Sequence, residues 1–175
     1  MKTSPFILAA LITVVTPFNL RAVTLFWDSN GAGTTGAGAT PTGTWGTDAF
    51  WTEDPNGDSP TGPWVSGSTA VFSAGSDATN AFTITLNGVQ TVDGLFVQEG
   101  SITLAGSALS VGTSTIEIDA GAKLSIPNVA NITATSGANL NLEGGTMRNS
   151  VNGAGSSFIS SNFNINQLLS VGSQS

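Results

Sequence analysis

Ile116, Ile118, Gly121, Leu124 and Ile126 are followed sixteen residues later by Ile132, Ala134, Gly137, Leu140 and Leu142, with every internal interval kept. An earlier copy, Leu95, Val97, Gly100, Ile102 and Leu104, starts 21 residues before the first and is one residue shorter after its glycine. Apolar residues two apart lie on one side of an extended strand. A glycine between two such pairs turns the chain where φ must be positive. Each unit therefore reads as two short strands joined at a glycine corner. Stacked copies bury an apolar column that no single copy buries alone, which is the logic of a β-solenoid.

The unequal intervals keep an antiparallel β-sandwich open as the alternative, because its strands also recur with turn signals about every 8–12 residues. The Asn-Gly pairs beginning at Asn30, Asn56, Asn87 and Asn152 suit the hairpins of such a sandwich. Either way the chain is all-β. Gly, Ser, Thr and Asn interrupt every stretch that could otherwise follow a helical period.

Three segments are expected. Residues 1–22 have a basic start at Lys2, an apolar run from Phe6 to Ile12, the helix-breaking Pro17 and a small residue at Ala22. That order is the layout of a secretory signal peptide, and the apolar run is well short of the ~20 residues needed to cross a bilayer. Residues 23–80 hold all four tryptophans, Trp27, Trp45, Trp51 and Trp64, and read as an N-terminal cap. Residues 81–175 read as the solenoid coils. Their last apolar run, Phe158 to Leu169, ends in Ser-Gln-Ser with no polar capping helix, so either self-association through an open end or a chain shorter than its relatives is expected.

Charge and composition exclude several functions. Removing the leader with Lys2 and Arg21 takes the formal charge from −7 to −9 and leaves Lys123 and Arg148 as the only basic side chains. Nucleic acids and anionic membrane surfaces are recognised through clustered Lys and Arg, so neither is expected as a partner, and no membrane insertion is expected once the leader is gone. The chain has no Cys, His or Tyr. It therefore lacks the thiol nucleophile, the imidazole base and the phenolic acid of most enzymes.

A carboxylate-only glycosidase needs two acids flanking a sugar bond. The candidates are Asp93, Glu99, Glu117, Asp119 and Glu143. Glu117 and Asp119 share the face opposite Ile116 and Ile118, where acids serve solubility and blunt edge pairing. No catalytic residue is assigned, and the chain is not expected to be an enzyme.

Two binding readings remain. Asp54, Asn56 and Asp58 follow the D-x-N-x-D opening of a calcium loop. The pattern then fails, with Ser59 at the sixth place and Val65 at the twelfth. An acidic turn held by Asx bonding is the plainer reading. Trp45, Trp51 and Trp64 could stack on sugar rings, which would make the chain a carbohydrate-binding module with a surface glycan or protein as partner. The plainer use of these rings is structural, to cover the apolar end of the first coil.

The opening Leu25-Phe26-Trp27-Asp28, then Gly43-Thr44-Trp45, Phe50-Trp51-Thr52 and Trp64, followed by Gly67-Ser68-Thr69-Ala70-Val71-Phe72, carry a resemblance. With Thr83-Ile84-Thr85-Leu86 and Val92-Asp93-Gly94-Leu95, the chain resembles exported bacterial proteins with autotransporter-associated β-strand repeats. That resemblance implies a right-handed parallel β-helix exposed at the cell surface, used for presentation, spacing or adhesion, with no catalytic residues to carry over. The chain departs from the family's pattern in being far shorter and in showing neither the alternating strands of an outer-membrane barrel nor a hydrophobic sorting tail.

Overall fold

A computed structural model describes residues 22–112 and 114–127, together with the strand segments 132–134, 138–142, 146–149 and 163–165. Apart from Ala22, the expected leader lies outside the described residues, as do Glu143, Asn152 and most of the C-terminal apolar run.

Among the described residues there is no helix. Fifteen short strands follow one another, beginning with β1 (Thr24–Trp27), β2 (Gly43–Trp45), β3 (Trp51–Thr52), β4 (Thr69–Phe72) and β5 (Ala81–Leu86). Then come β6 (Gln90–Val92), β7 (Leu95–Val97), β8 (Ser101–Gly106), β9 (Leu109–Val111) and β10 (Thr115–Ile118). The last are β11 (Lys123–Ile126), β12 (Ile132–Ala134), β13 (Ala138–Leu142), β14 (Thr146–Asn149) and β15 (Phe163–Ile165).

These strands form three sheets, ordered β15-β13-β10-β7-β4-β1-β3, β14-β11-β8-β5-β2 and β12-β9-β6. From β4 to β14 the chain visits the first, second and third sheet in strict rotation. The fold is therefore all-β, with one mixed sheet and two parallel ones. Among the described ladders only β1–β3 is antiparallel, which departs from the sandwich alternative. Asn87-Gly88 shows why its turn signal misleads: it joins β5 to β6, which belong to different sheets, so no hairpin forms.

Side-chain parity decides the register. In β5, Phe82, Ile84 and Leu86 are buried while Ala81, Thr83 and Thr85 are exposed. The parallel partner β8 sets Ile102 beside Phe82 and Leu104 beside Ile84, and β11 sets Leu124 beside Ile102. A one-residue slip would turn every one of these side chains outward. In the first sheet Leu95 lies beside Ala70 and Ile116, and Ile116 beside Leu140. Residues from all three sheets join in one contiguous core cluster. Each fully buried Leu or Ile contributes about 1.5–3 kcal/mol.

The 21-residue interval is a true stacking interval, for it sets Leu95 beside Ile116. The sixteen-residue match is not. Ile132 lies beside Leu109 in the third sheet, and Leu140 returns beside Ile116 in the first. The structural unit is thus three strands rather than two. The parallel ladders also run through the segment expected as a cap, since β4 pairs with β7 and β2 with β5.

The corner glycines test this architecture. Gly100 and Gly121 take φ of 70° and 85° ahead of β8 and β11, as the repeat requires. An added Cβ at Gly121 meets nothing within 4 Å, whereas at Gly100 it overlaps the carbonyl oxygens of Ala78 and Asn80. Gly121→Ala is expected to cost only the left-handed strain, roughly 1–2 kcal/mol, and Gly100→Ala distinctly more. Chemical denaturation of both variants measures the difference, and equal costs would contradict the close passage of the 78–80 backbone over Gly100.

Candidate functional site

The tryptophans meet at the β1–β3 end. Parity puts Trp27 inward with Leu25, and Trp45 inward beside Leu86 of β5. Trp51 pairs with Trp27 across the antiparallel ladder and with Gly62 on its other edge. Its ring centroid lies 5.1 Å from that of Trp27, 4.8 Å from Trp45, 4.6 Å from Trp64 and 5.6 Å from Phe72. Tilted and edge-to-face pairs at these spacings add to simple burial. Trp27 donates its indole N–H to the Pro41 carbonyl at 2.8 Å. The Nε1 atoms of Trp45, Trp51 and Trp64 meet no protein acceptor and sit among π faces, which accept only weakly.

This placement corrects the sugar-stacking expectation. Trp45 and Trp51 are 0% and 2% exposed, so no ring face is offered to a ligand; Trp64 is half-buried and packs against the same core. Trp27, Trp45 and Trp51 serve as core, with Trp64 packed against them. A shallow cleft of about 540 Å³ does border Trp51, but its walls include Thr52, Glu53, Asp54, Ser59 and Pro60.

Beyond the end of β1, three loops interlock. Gly36 donates its N–H to Asn56 O at 2.7 Å, Gly75 to Pro55 O at 2.7 Å, and Ala37 to Ala74 O at 3.0 Å. Thr35 Oγ1 donates to Asp58 Oδ1 at 2.7 Å. Glycine is required at these crossings, because a Cβ on Gly75 would lie 2.6 Å from Gly36 Cα. A cleft of about 320 Å³ opens on the junction, lined by residues including Thr35, Asn56, Ser76 and Asp77.

The residues expected to open a calcium loop are placed here, as a turn. Asp54 Oδ1 accepts the N–H of Asn56 at 2.9 Å, and Oδ2 accepts the N–H of Asp58 at 3.2 Å and the Ser59 hydroxyl at 2.8 Å. Both oxygens are thus committed to the loop itself. Those bonds, led by the Asn56 N–H, hold the Asp54 carboxyl below its usual range. Among the described residues no three acidic side chains converge as metal ligands.

Two acids are held away from solvent, Asp28 fully and the candidate carboxylate Glu99 in part. Asp28 is fully buried. Burial is the main force lifting its carboxyl above the usual range; N–H donation from Gly31 and Asn30 opposes this, and the charges of Asp77 and Asp54 reinforce it. Glu99 Oε1 accepts from Ser73 Oγ and Ala78 N, each at 3.2 Å. Burial raises its carboxyl as well. Of the other carboxylates, Asp93 Oδ2 accepts the Ser114 hydroxyl at 2.8 Å, and Glu117 faces outward between Phe96 and Asn141. Asp119 sits past the end of β10, its N–H donated to Val97 O. Asp93, Glu117 and Asp119 line neither of the two clefts described above.

Raised carboxyls favour the protonated folded state. Their contribution to stability is fully present below the unfolded carboxylate range, about pH 4, and is lost as pH rises through their folded values. Asp54 acts oppositely and loses its contribution below about pH 4. The unfolding midpoint is therefore expected to be higher at pH 5 than at pH 7 and to fall again in stronger acid. Asp28→Asn should narrow the difference between pH 5 and 7, since an amide keeps the acceptor for Asn30 and Gly31 without the charge. Thermal melts across pH decide it, and a midpoint that rises from pH 5 to 7 would contradict the burial of these charges.

Trp51→Ala should lower stability by roughly 3–5 kcal/mol, read by denaturant unfolding. A loss below about 1 kcal/mol would mean the aromatic cluster is not core. No family model, curated protein or solved structure matches the chain.

Proposed function

We propose that this chain is an exported, non-catalytic β-solenoid module that acts at the cell surface as a scaffold or spacer. The observation that carries the reading is the rotation of successive strands through three sheets, with Ala70, Leu95, Ile116 and Leu140 side by side in one parallel ladder. An array of that kind extends by about 4.8 Å for each added coil and presents a long polar surface without a built active site. The leader at 1–22, the acidic surface and the absence of His, Cys and Tyr from the sequence support an extracytoplasmic structural role. The likeness to passenger proteins with β-strand repeats belongs to the same reading. Self-association through the C-terminal end would extend the array further.

In a solenoid each coil contacts only its neighbours, so whole coils can be added. Duplicating residues 95–115, one full circuit of the three sheets, is expected to give a folded protein with an unfolding midpoint no lower than the parent's. A compact fold with fixed closure would be disrupted instead, and loss of cooperative unfolding would overturn the solenoid reading. Expression with the native leader in a bacterial host, followed by fractionation and protease treatment of intact cells, tests location separately. Protease-sensitive protein outside the inner membrane is expected; uncleaved protein in the cytoplasm would sink the exported role.

A further inference from the structure

The three-loop junction holds negative charge that the fold leaves unanswered. Asp28, with no exposure to solvent, binds the backbone N–H groups of Asn30 at 2.9 Å and Gly31 at 3.0 Å through Oδ1. Its buried Oδ2 has no hydrogen-bond partner. Asp77 repeats the arrangement: Oδ2 accepts the Gly38 N–H at 3.1 Å, and Oδ1, equally buried, has none. Each carboxylate is thus gripped by one oxygen and left with the other free.

Both free oxygens lie against the glycines that knit the loops together. A Cβ on Gly57 would stand 3.3 Å from Asp28 Oδ2 and 3.1 Å from Gly36 N. A Cβ on Gly36 would overlap Asp77 Oδ1. Both oxygens thus lie against glycine backbone at the crossing of the loops, with no protein donor facing them. The stretch from Val23 to Asn80, which builds the junction, contains six acids and neither Lys nor Arg. A buried carboxylate oxygen without a partner is costly, and two of like sign at one junction compound that cost.

We infer that this junction is a binding site for a hard divalent cation of the calcium type, held by Asp28 Oδ2 and Asp77 Oδ1. Calcium takes oxygen ligands in a flexible shell completed by loop carbonyls and waters. A donor set of oxygen alone, in a chain without His or Cys, matches it rather than a softer metal. The cleft beside Asp77, with Thr35, Asn56 and Ser76 in its wall, gives the ion a way in. The site is distinct from the Asp54 turn, whose oxygens are already occupied. It does not depend on the scaffold reading, because it would tie the 28–38 and 74–78 loops together in any role.

The test is calcium chloride added to the purified protein at pH 7, with the unfolding midpoint followed by tryptophan fluorescence. A saturable rise of about 5 °C or more is expected, not reproduced by sodium chloride at equal ionic strength. Asp77→Asn, which keeps the acceptor for Gly38, should abolish the rise, as should Asp28→Asn; Asp54→Asn should retain it. Should Asp28→Asn fail to fold, the half-exposed Asp77 still decides the matter. Terbium provides a second reading: emission excited through tryptophan should appear in the parent, be displaced by calcium and be absent from Asp77→Asn. No saturable rise, a rise equalled by sodium, or one retained in Asp77→Asn and lost in Asp54→Asn would overturn the site.

Discussion

An alternating strand buries one row of side chains and leaves both backbone edges hungry for partners, so it is stable only between neighbours that share its register. Every described part of this molecule answers to that constraint. Inward Leu, Ile and Val residues stand beside one another in the parallel ladders, and backbone bonds along the stack fix which residues those are. Loop length is free to vary as long as parity survives. Leu95 to Ile116 spans 21 residues and Ile116 to Leu140 spans 24, yet all three occupy one row. The slack is taken up at corners, where glycine accepts positive φ and lets one turn of chain lie close over another.

That tolerance explains what could and could not be read beforehand. Strand parity is written in the residues, as Phe82-Ile84-Leu86 and Ile116-Ile118 show, and so is the need for Gly100 and Gly121. The stacking interval was only half legible. Any two strands around a glycine resemble any other two, so the sixteen-residue match between β10–β11 and β12–β13 was genuine as pattern but joined strands from different sheets. The third strand of each circuit is three residues long in β6, β9 and β12, too short to announce itself by alternation. The tryptophans carried a usable signal that composition obscured: Trp27 shares the parity of Leu25, and a residue on the buried face of a strand does not stack on sugar.

The acids were the least legible, because their meaning lies in pairs far apart in sequence. Asp28 and Asp77 are 49 positions apart and become neighbours only through the crossing of three glycine-bearing loops. Elsewhere the fold uses carboxylates as locks on its corners. Asp48 Oδ2 accepts the Thr44 N–H at 2.7 Å, Asp93 holds Ser114, and Glu99 holds Ser73 and Ala78. Short acceptors that capture nearby backbone N–H groups end strands cheaply. Asp48, Asp93 and Glu99 are thus each engaged with their own loop or the next.

The fastener at Asp28 differs in its position. It directly follows Trp27, whose ring packs on Trp51, Phe50 and Phe72 and whose N–H is tied to Pro41. Charge on Asp28 therefore bears on the aromatic end of the core, and a proton that neutralises it relieves the burial penalty there. That end is joined to the first parallel ladder by backbone and side chain alike, because β1 pairs with β4, β4 pairs with β7, and the Trp27 ring packs on Phe72 of β4. Protonation of Asp28 therefore acts first on the aromatic end of the core, where Trp27 meets Trp51.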